Sequence, residues 1–233
     1  SPYYFAPAAE PYHEYITDWQ RELQTMIGKN HAKYFDKNNW LYFTKEVFDL
    51  LYPSYGDTYP TYNGAIGMTY EQAGHSRGGL AIKTEDGDTL TLLDRITHHY
   101  TTGLSTVEVA SQNVNRIVDE FVKFFSEGKN NPKGEYNTYI ISKSNHIDKL
   151  NDLQSWLDKN GIQYGTASAS RSYKGFNYKT GKTGSVKINV GDLVISANQS
   201  KSVLVQVLFE PQTTLRDTLT YDLTAWAIPY VYG

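Results

Sequence analysis

The chain has 233 residues, 39 % hydrophobic and 20 % charged, which is the composition of a folded protein with one large core or two small ones and excludes disorder. A net charge of −3 gives no strong pull toward nucleic acid or a membrane surface. The lack of cysteine excludes disulfides, thiolate metal sites and cysteine nucleophiles.

No apolar run approaches the length of a membrane span. The chain opens Ser1-Pro2, which reads as a processing boundary with any targeting signal upstream. Tyrosine is frequent, at 20 residues, and fits either a compositional bias or a wet binding groove.

Along the chain, the spacing of Tyr12, Tyr15, Ile16, Trp19, Leu23, Met26 and Ile27 predicts an amphipathic helix from Pro11 to Gly28. His13 would lie on its solvated face. A shorter helix is predicted from Thr44 to Leu51, ending before Pro53. The run from Tyr52 to Gly64, with proline, glycine and four tyrosines, reads as an irregular loop. Strands are predicted at 66–71 and 80–83, with Asp86-Gly87 as a hairpin turn before Thr89–Leu92. From Asp94 to Phe125 the pattern is helical, with Ile96, Tyr100, Leu104, Val107, Val114, Phe121 and Val122 on the apolar stripe and a bend expected at Gly103. Adjacent His98 and His99 point about 100° apart, unlike an i, i+4 metal pair, so His99 reads as a packed, hydrogen-bonded residue.

The breaker-rich run Gly128–Gly134 reads as a linker. Beyond it, strands are predicted at 136–141, 162–169, 185–190 and 192–197, and helices at 145–160 and 201–209. Ile147, Leu150, Leu153 and Leu157 would face inward, and Gly161 would stop the first of these helices. A Gly-, Ser-, Lys- and Tyr-rich loop fills the gap to about Gly184. Its basic and aromatic residues, Arg171 to Lys179, fit a mobile surface loop better than a nucleic-acid or glycan platform. Gly74–Gly79 lacks the spacing of a phosphate-binding loop, and Glu85–Asp88 lacks that of a calcium loop.

The stretch Asn63-Gly64-Ala65-Ile66-Gly67-Met68-Thr69-Tyr70-Glu71-Gln72 resembles the catalytic strand of the carboxypeptidase A-like zinc carboxypeptidases. A tyrosine-bearing loop precedes that strand in the family and a long helix follows it, packed on the central sheet. Here the loop holds Tyr52, Tyr55, Tyr59 and Tyr62, and the helix begins at Asp94. The opening Ser1–Pro7 looks like the segment just after the family's zinc-binding histidine strand. The match covers about residues 1–127.

The resemblance implies an α/β fold in two parts. Residues 1–130 would be the C-terminal half of a mixed-sheet, three-layer carboxypeptidase-like domain. Residues 134–233 would be a smaller flavodoxin-like or amidotransferase-like accessory domain, non-catalytic because it lacks a cysteine nucleophile. It assigns Glu71 the role of general base toward a zinc-bound water, with Tyr55, or else Tyr52, hydrogen-bonding a peptide substrate.

The family's zinc ligands are an HxxE pair and a later histidine, all N-terminal to the catalytic strand. None of the six histidines here has Glu three residues later. The expectation is therefore a chain without metal ligands and inactive alone, either cut from a longer zinc enzyme, which the abrupt start favours, or a degenerate relative. That enzyme would be secreted or periplasmic in a bacterium, without nucleic-acid partners or a membrane span, and the isolated piece prone to oligomerise. The rival reading is a non-catalytic glycan- or peptide-binding module that uses tyrosine-rich loops.

Overall fold

A computed structural model of the chain describes residues 2–72, 80–84, 87–215, 226 and 228–232. The elements are β1 (Tyr3–Tyr4), β2 (Ala9–Tyr12), α1 (Asp18–Lys37), β3 (Tyr42–Phe43), β4 (Asp49–Leu50), α2 (Thr58–Thr61), β5 (Glu71–Gln72), β6 (Ala81–Lys83), β7 (Thr89–Thr91), α3 (Leu92–Gln112), α4 (Val114–Asn130), β8 (Thr138–Ile141), α5 (Ile147–Lys159), β9 (Gly165–Thr166), β10 (Arg171–Asn177), β11 (Lys182–Ile188), β12 (Leu193–Ser196), α6 (Ser202–Phe209) and α7 (Ile228–Tyr232). The class is mixed α/β, with small sheets. Contacts divide it into two units. One gathers the described residues of 1–61, 65–120 and 215–223, the other those of 62–64, 121–214 and 224–233.

In the first unit, α1 starts later than periodicity predicts. Thr17 accepts from the Gln20 N–H while the Gln20 side chain accepts from the Thr17 N–H, a capping box that fixes the start at Asp18. Residues Ala9–Tyr12 form a strand instead, paired in parallel with β4. His13 is consequently buried just before the helix, and its Nδ1 accepts from the Tyr15 N–H. Gly28 does not stop the helix. A Cβ there would stand 2.1 Å from the Ala6 carbonyl oxygen, so the glycine serves a close approach of helix to chain.

The helix expected over 44–51 does not form. Lys45 (φ 60°) and Val47 (φ 67°) are left-handed, and Lys45 N–H donates to the Pro7 carbonyl. β1 lies between β3, parallel, and β5, antiparallel, with Tyr3 opposite Gln72 and Tyr4 opposite Glu71. Of the strand expected at 66–71, only Glu71 joins a ladder, together with Gln72. The hairpin β6–β7 forms as predicted, with Gly87 at φ 87°; its Asp86, like the run Gly74–Gly79 with His75, lies outside the described residues.

The long predicted helix breaks at Asn113, which caps α3, and not at Gly103. Its orientation is also the reverse of the apolar reading. His98, Thr102, Ser105 and Val109 are buried, whereas Ile96, Tyr100, Leu104 and Val107 are each more than half exposed. The buried polar groups are satisfied internally. His98 Nδ1 hydrogen-bonds with Gln72 Oε1, Thr102 with the Tyr3 hydroxyl, and Ser105 with His31.

In the second unit, β12 pairs antiparallel with both β8 and β9, unlike the parallel sheet on which a flavodoxin-like domain is built. Leu153 and Leu157 of α5, most of α6 and this sheet's Tyr139, Ile141, Leu193 and Ile195 are buried, and Tyr139 packs on Phe209 of α6. Ile147 is exposed because α5 begins there, behind a His146 cap. Gly161 (φ 65°) ends the helix as predicted. The supposed loop before Gly184 is a hairpin in which β10 and β11 pair over seven residues each. Its turn is closed by Asn177 Oδ1, which accepts from the N–H groups of Lys179 and Thr180.

His31 is fully buried between the rings of Phe5 and Tyr70, and its Nε2 has no hydrogen-bond partner. Burial pushes its pKa down to about 4 from 6.5. The unfolded chain therefore binds this proton more readily than the folded one. Stability from this residue is present above about pH 6.5 and is lost as pH falls toward 4, on the order of 3 kcal/mol in all. Urea denaturation from neutral pH down to about pH 4.5 should show this slope, and His31→Gln should flatten it. An unchanged slope in the variant would contradict the assignment.

Candidate functional site around Glu71

β5 carries Glu71 on one face of the small sheet and Gln72 on the other, because side chains alternate along a strand. On the Gln72 side stand Tyr3, Phe5 and Phe35, which form a buried aromatic cluster. α3 closes that side. The Tyr3 hydroxyl hydrogen-bonds with His99 Nδ1 at 2.7 Å, and the Tyr70 hydroxyl with Thr106 Oγ1 at 2.6 Å. Glu71 faces the other way and is exposed. It shares its face with Tyr4, which packs on Phe43 and Phe48. Burial raises the Tyr4 pKa, with Tyr12, Asp57 and Asp49 adding to the shift, so its hydroxyl stays protonated.

The segment leading to Glu71 has no ladder of its own. Side chains of α1 hold it instead. Gln20 Nε2 donates to the carbonyls of Thr61 and Ala65, both at 2.8 Å, and Gln24 Nε2 donates to the Gly67 carbonyl at 2.8 Å. The Tyr12 hydroxyl donates to Gln24 Oε1 and fixes which way that amide points. Both glutamines are buried, at 2 % and 0 % exposure.

The tyrosine loop is tied to the same segment. Thr69 Oγ1 donates to Asp57 Oδ2 at 2.6 Å, Gly67 N–H donates to Thr61 Oγ1, and that hydroxyl donates to the Asp57 carbonyl. At Gly67 a Cβ would stand 1.7 Å from the Asp57 carbonyl oxygen, so no other residue fits this crossing. Tyr52 and Tyr55 are half-buried and pack edge to face, with centroids 5.1 Å apart. The structure thus joins the loop that bears Tyr52 and Tyr55 to the segment that ends at Glu71, through Asp57.

Searches of protein-family models, of curated proteins and of solved structures return no match.

Among the described residues, no group of three or more His, Asp or Glu side chains could hold a metal ion. These residues do not by themselves fit a zinc site. No described helix is long and apolar enough to cross a membrane. Sequence reasoning missed Gln20, Gln24 and Asp57. The available signal was two amides, four residues apart, on the face of a helix that also buries Leu23 and Ile27.

Gln24→Leu removes the donor to the Gly67 carbonyl, while the Tyr12 hydroxyl keeps the Ala8 carbonyl as acceptor. It should cost about 1–3 kcal/mol in urea denaturation, the penalty of leaving a buried carbonyl unpaired. A midpoint equal to that of the parent chain would show that water replaces the amide.

Proposed function

We propose that this chain is part of a zinc-dependent metallocarboxypeptidase that hydrolyses peptides, with Glu71 as its general base. Glu71 takes a proton from the attacking water and passes it to the leaving amine as the C–N bond breaks. The observation that carries the reading is the mounting of Glu71. Its carboxylate is exposed on one face of a sheet whose other face is covered by α1 and α3. The segment before it is fixed by three amide-to-carbonyl bonds, so the main chain that carries Glu71 is held in place before substrate arrives. Tyr55, or else Tyr52, hydrogen-bonds the bound peptide from the loop that Asp57 ties to this segment.

The apolar stripe of α3 supports a larger parent. Ile96, Tyr100, Leu104 and Val107 form a large exposed patch, as expected of a domain seen without the part that covers it. On this reading the zinc ligands, an HxxE pair and a later histidine, belong to that part. The parent would be a secreted or periplasmic bacterial enzyme, and the second unit a non-catalytic accessory.

Glu71→Gln in the full protein should lower kcat/KM for peptide hydrolysis by about a hundredfold or more. The melting temperature should be unchanged, because the residue is exposed. Retained activity in a folded Gln variant would remove Glu71 from the mechanism.

A further inference from the structure

The second unit contains a cleft of about 710 Å³, bordered by the segment Glu135–Ile140, by much of β10 and by Val186, Ile188 and Val194. Nothing in the Glu71 chemistry uses it. Its walls differ in kind. From β11 only the alternate residues Val186 and Ile188 reach it, which is what one face of a strand presents, and from β12 only Val194 does. From β8 and the residues before it, six consecutive positions border it, so there the main chain itself fronts the space.

The register of β8 tells which main-chain groups are free. The Asn137 carbonyl accepts from the N–H of Ala197 at 2.9 Å, and these two residues stand directly opposite each other. That makes them a hydrogen-bonded pair, and such pairs alternate along an antiparallel ladder. Tyr139–Ile195 and Ile141–Leu193 are then bonded as well. Thr138 and Ile140 turn their N–H and C=O groups away from β12. β8 is at the edge of its sheet, so these groups have no strand partner among the described residues.

The charge of the cleft is uneven. Arg171 and Lys174 of β10 border it, both are exposed, and neither has an ion-pair partner among the described residues. Glu135 is the one carboxylate among its lining residues. Tyr173, half exposed, adds a ring surface.

We propose that this cleft is a peptide-binding site, in which an extended acidic segment adds as a strand to the free edge of β8. Donors and acceptors at Thr138 and Ile140 recur every second residue, about 6.8 Å apart, which is the repeat of a pairing strand. A sugar chain has no such repeat. Arg171 and Lys174 supply the preference for carboxylates. The volume suits a few residues of peptide. The site does not depend on Glu71, and its test reads binding alone, so the two proposals stand or fall separately.

The test is fluorescence anisotropy on the whole chain with a labelled hexapeptide of alternating Val and Glu. Saturable binding is expected. N-methylation of alternate residues should weaken it by about tenfold or more, the loss of one or two main-chain hydrogen bonds. Replacing Glu by Lys in the peptide should weaken it comparably. The double variant Arg171→Glu/Lys174→Glu should reverse that preference. Both positions are exposed on a hairpin, and circular dichroism would verify the fold. Equal binding of the N-methylated peptide would overturn strand addition. An unchanged charge preference in the double variant would remove β10 from the site. Absence of saturation, or binding of an oligogalacturonate in place of the peptide, would overturn the proposal.

Discussion

The bonds from Gln20 and Gln24 to the carbonyls of Thr61, Ala65 and Gly67 are the constraint on which the first unit's site depends. The chain between α2 and β5 has no strand partners among the described residues, and a buried carbonyl left without a donor costs on the order of 1–3 kcal/mol. Two amides from one helix meet three of its carbonyls, those of Thr61 and Gly67 being in buried bonds. Gln20 also closes the capping box at Thr17, so the start of α1 and the path toward Glu71 are set by one side chain. The second unit repeats the device. Buried Gln206 donates to the carbonyls of Lys133 and Tyr136, ahead of β8, and Gln199 donates to those of Gln163 and Ser196. Short strands suffice in this protein because glutamine side chains stand in for missing ladder bonds.

That device limits what could be read in the sequence. Helix α6, the hairpin β6–β7 and the stop at Gly161 follow from local signals and appear where those signals place them. Elements set by tertiary bonds do not. The periodic apolar residues from Tyr12 to Ile16 suggested helix, but pairing with β4 and the Thr17 cap decided the matter. The residues over 44–48 carry helix-like composition, yet left-handed Lys45 and Val47 exclude a helix. β10 escaped notice because glycine and lysine interrupt its alternation, and β11 begins at Lys182, three residues before the strand predicted at 185–190; cross-strand pairing over seven residues supplies the order. Of the candidate site, Glu71, Tyr52 and Tyr55 were named only by the resemblance. Their mounting was not, since it runs through amides four residues apart on a helix whose start was misplaced.

Helix α3 carries the same lesson with a different consequence. Its buried face is built from His98, Thr102 and Ser105, each with a hydrogen-bond partner on the sheet or on α1, and the apolar stripe turns outward. A periodicity argument assumes that the apolar side is the inward one. Here satisfied polar pairs decided the orientation, and the exposed stripe is a surface fit for further protein. On the proposed reading, the rest of a carboxypeptidase-like domain covers it.

The most direct measurement is the intact mass of the mature protein from its native source, with bound zinc determined on the same sample. The account predicts a mass well above the 26.5 kDa of this chain and about one zinc per molecule. A mass that matches this chain, with no zinc, would contradict it and leave a binding module in place of the peptidase.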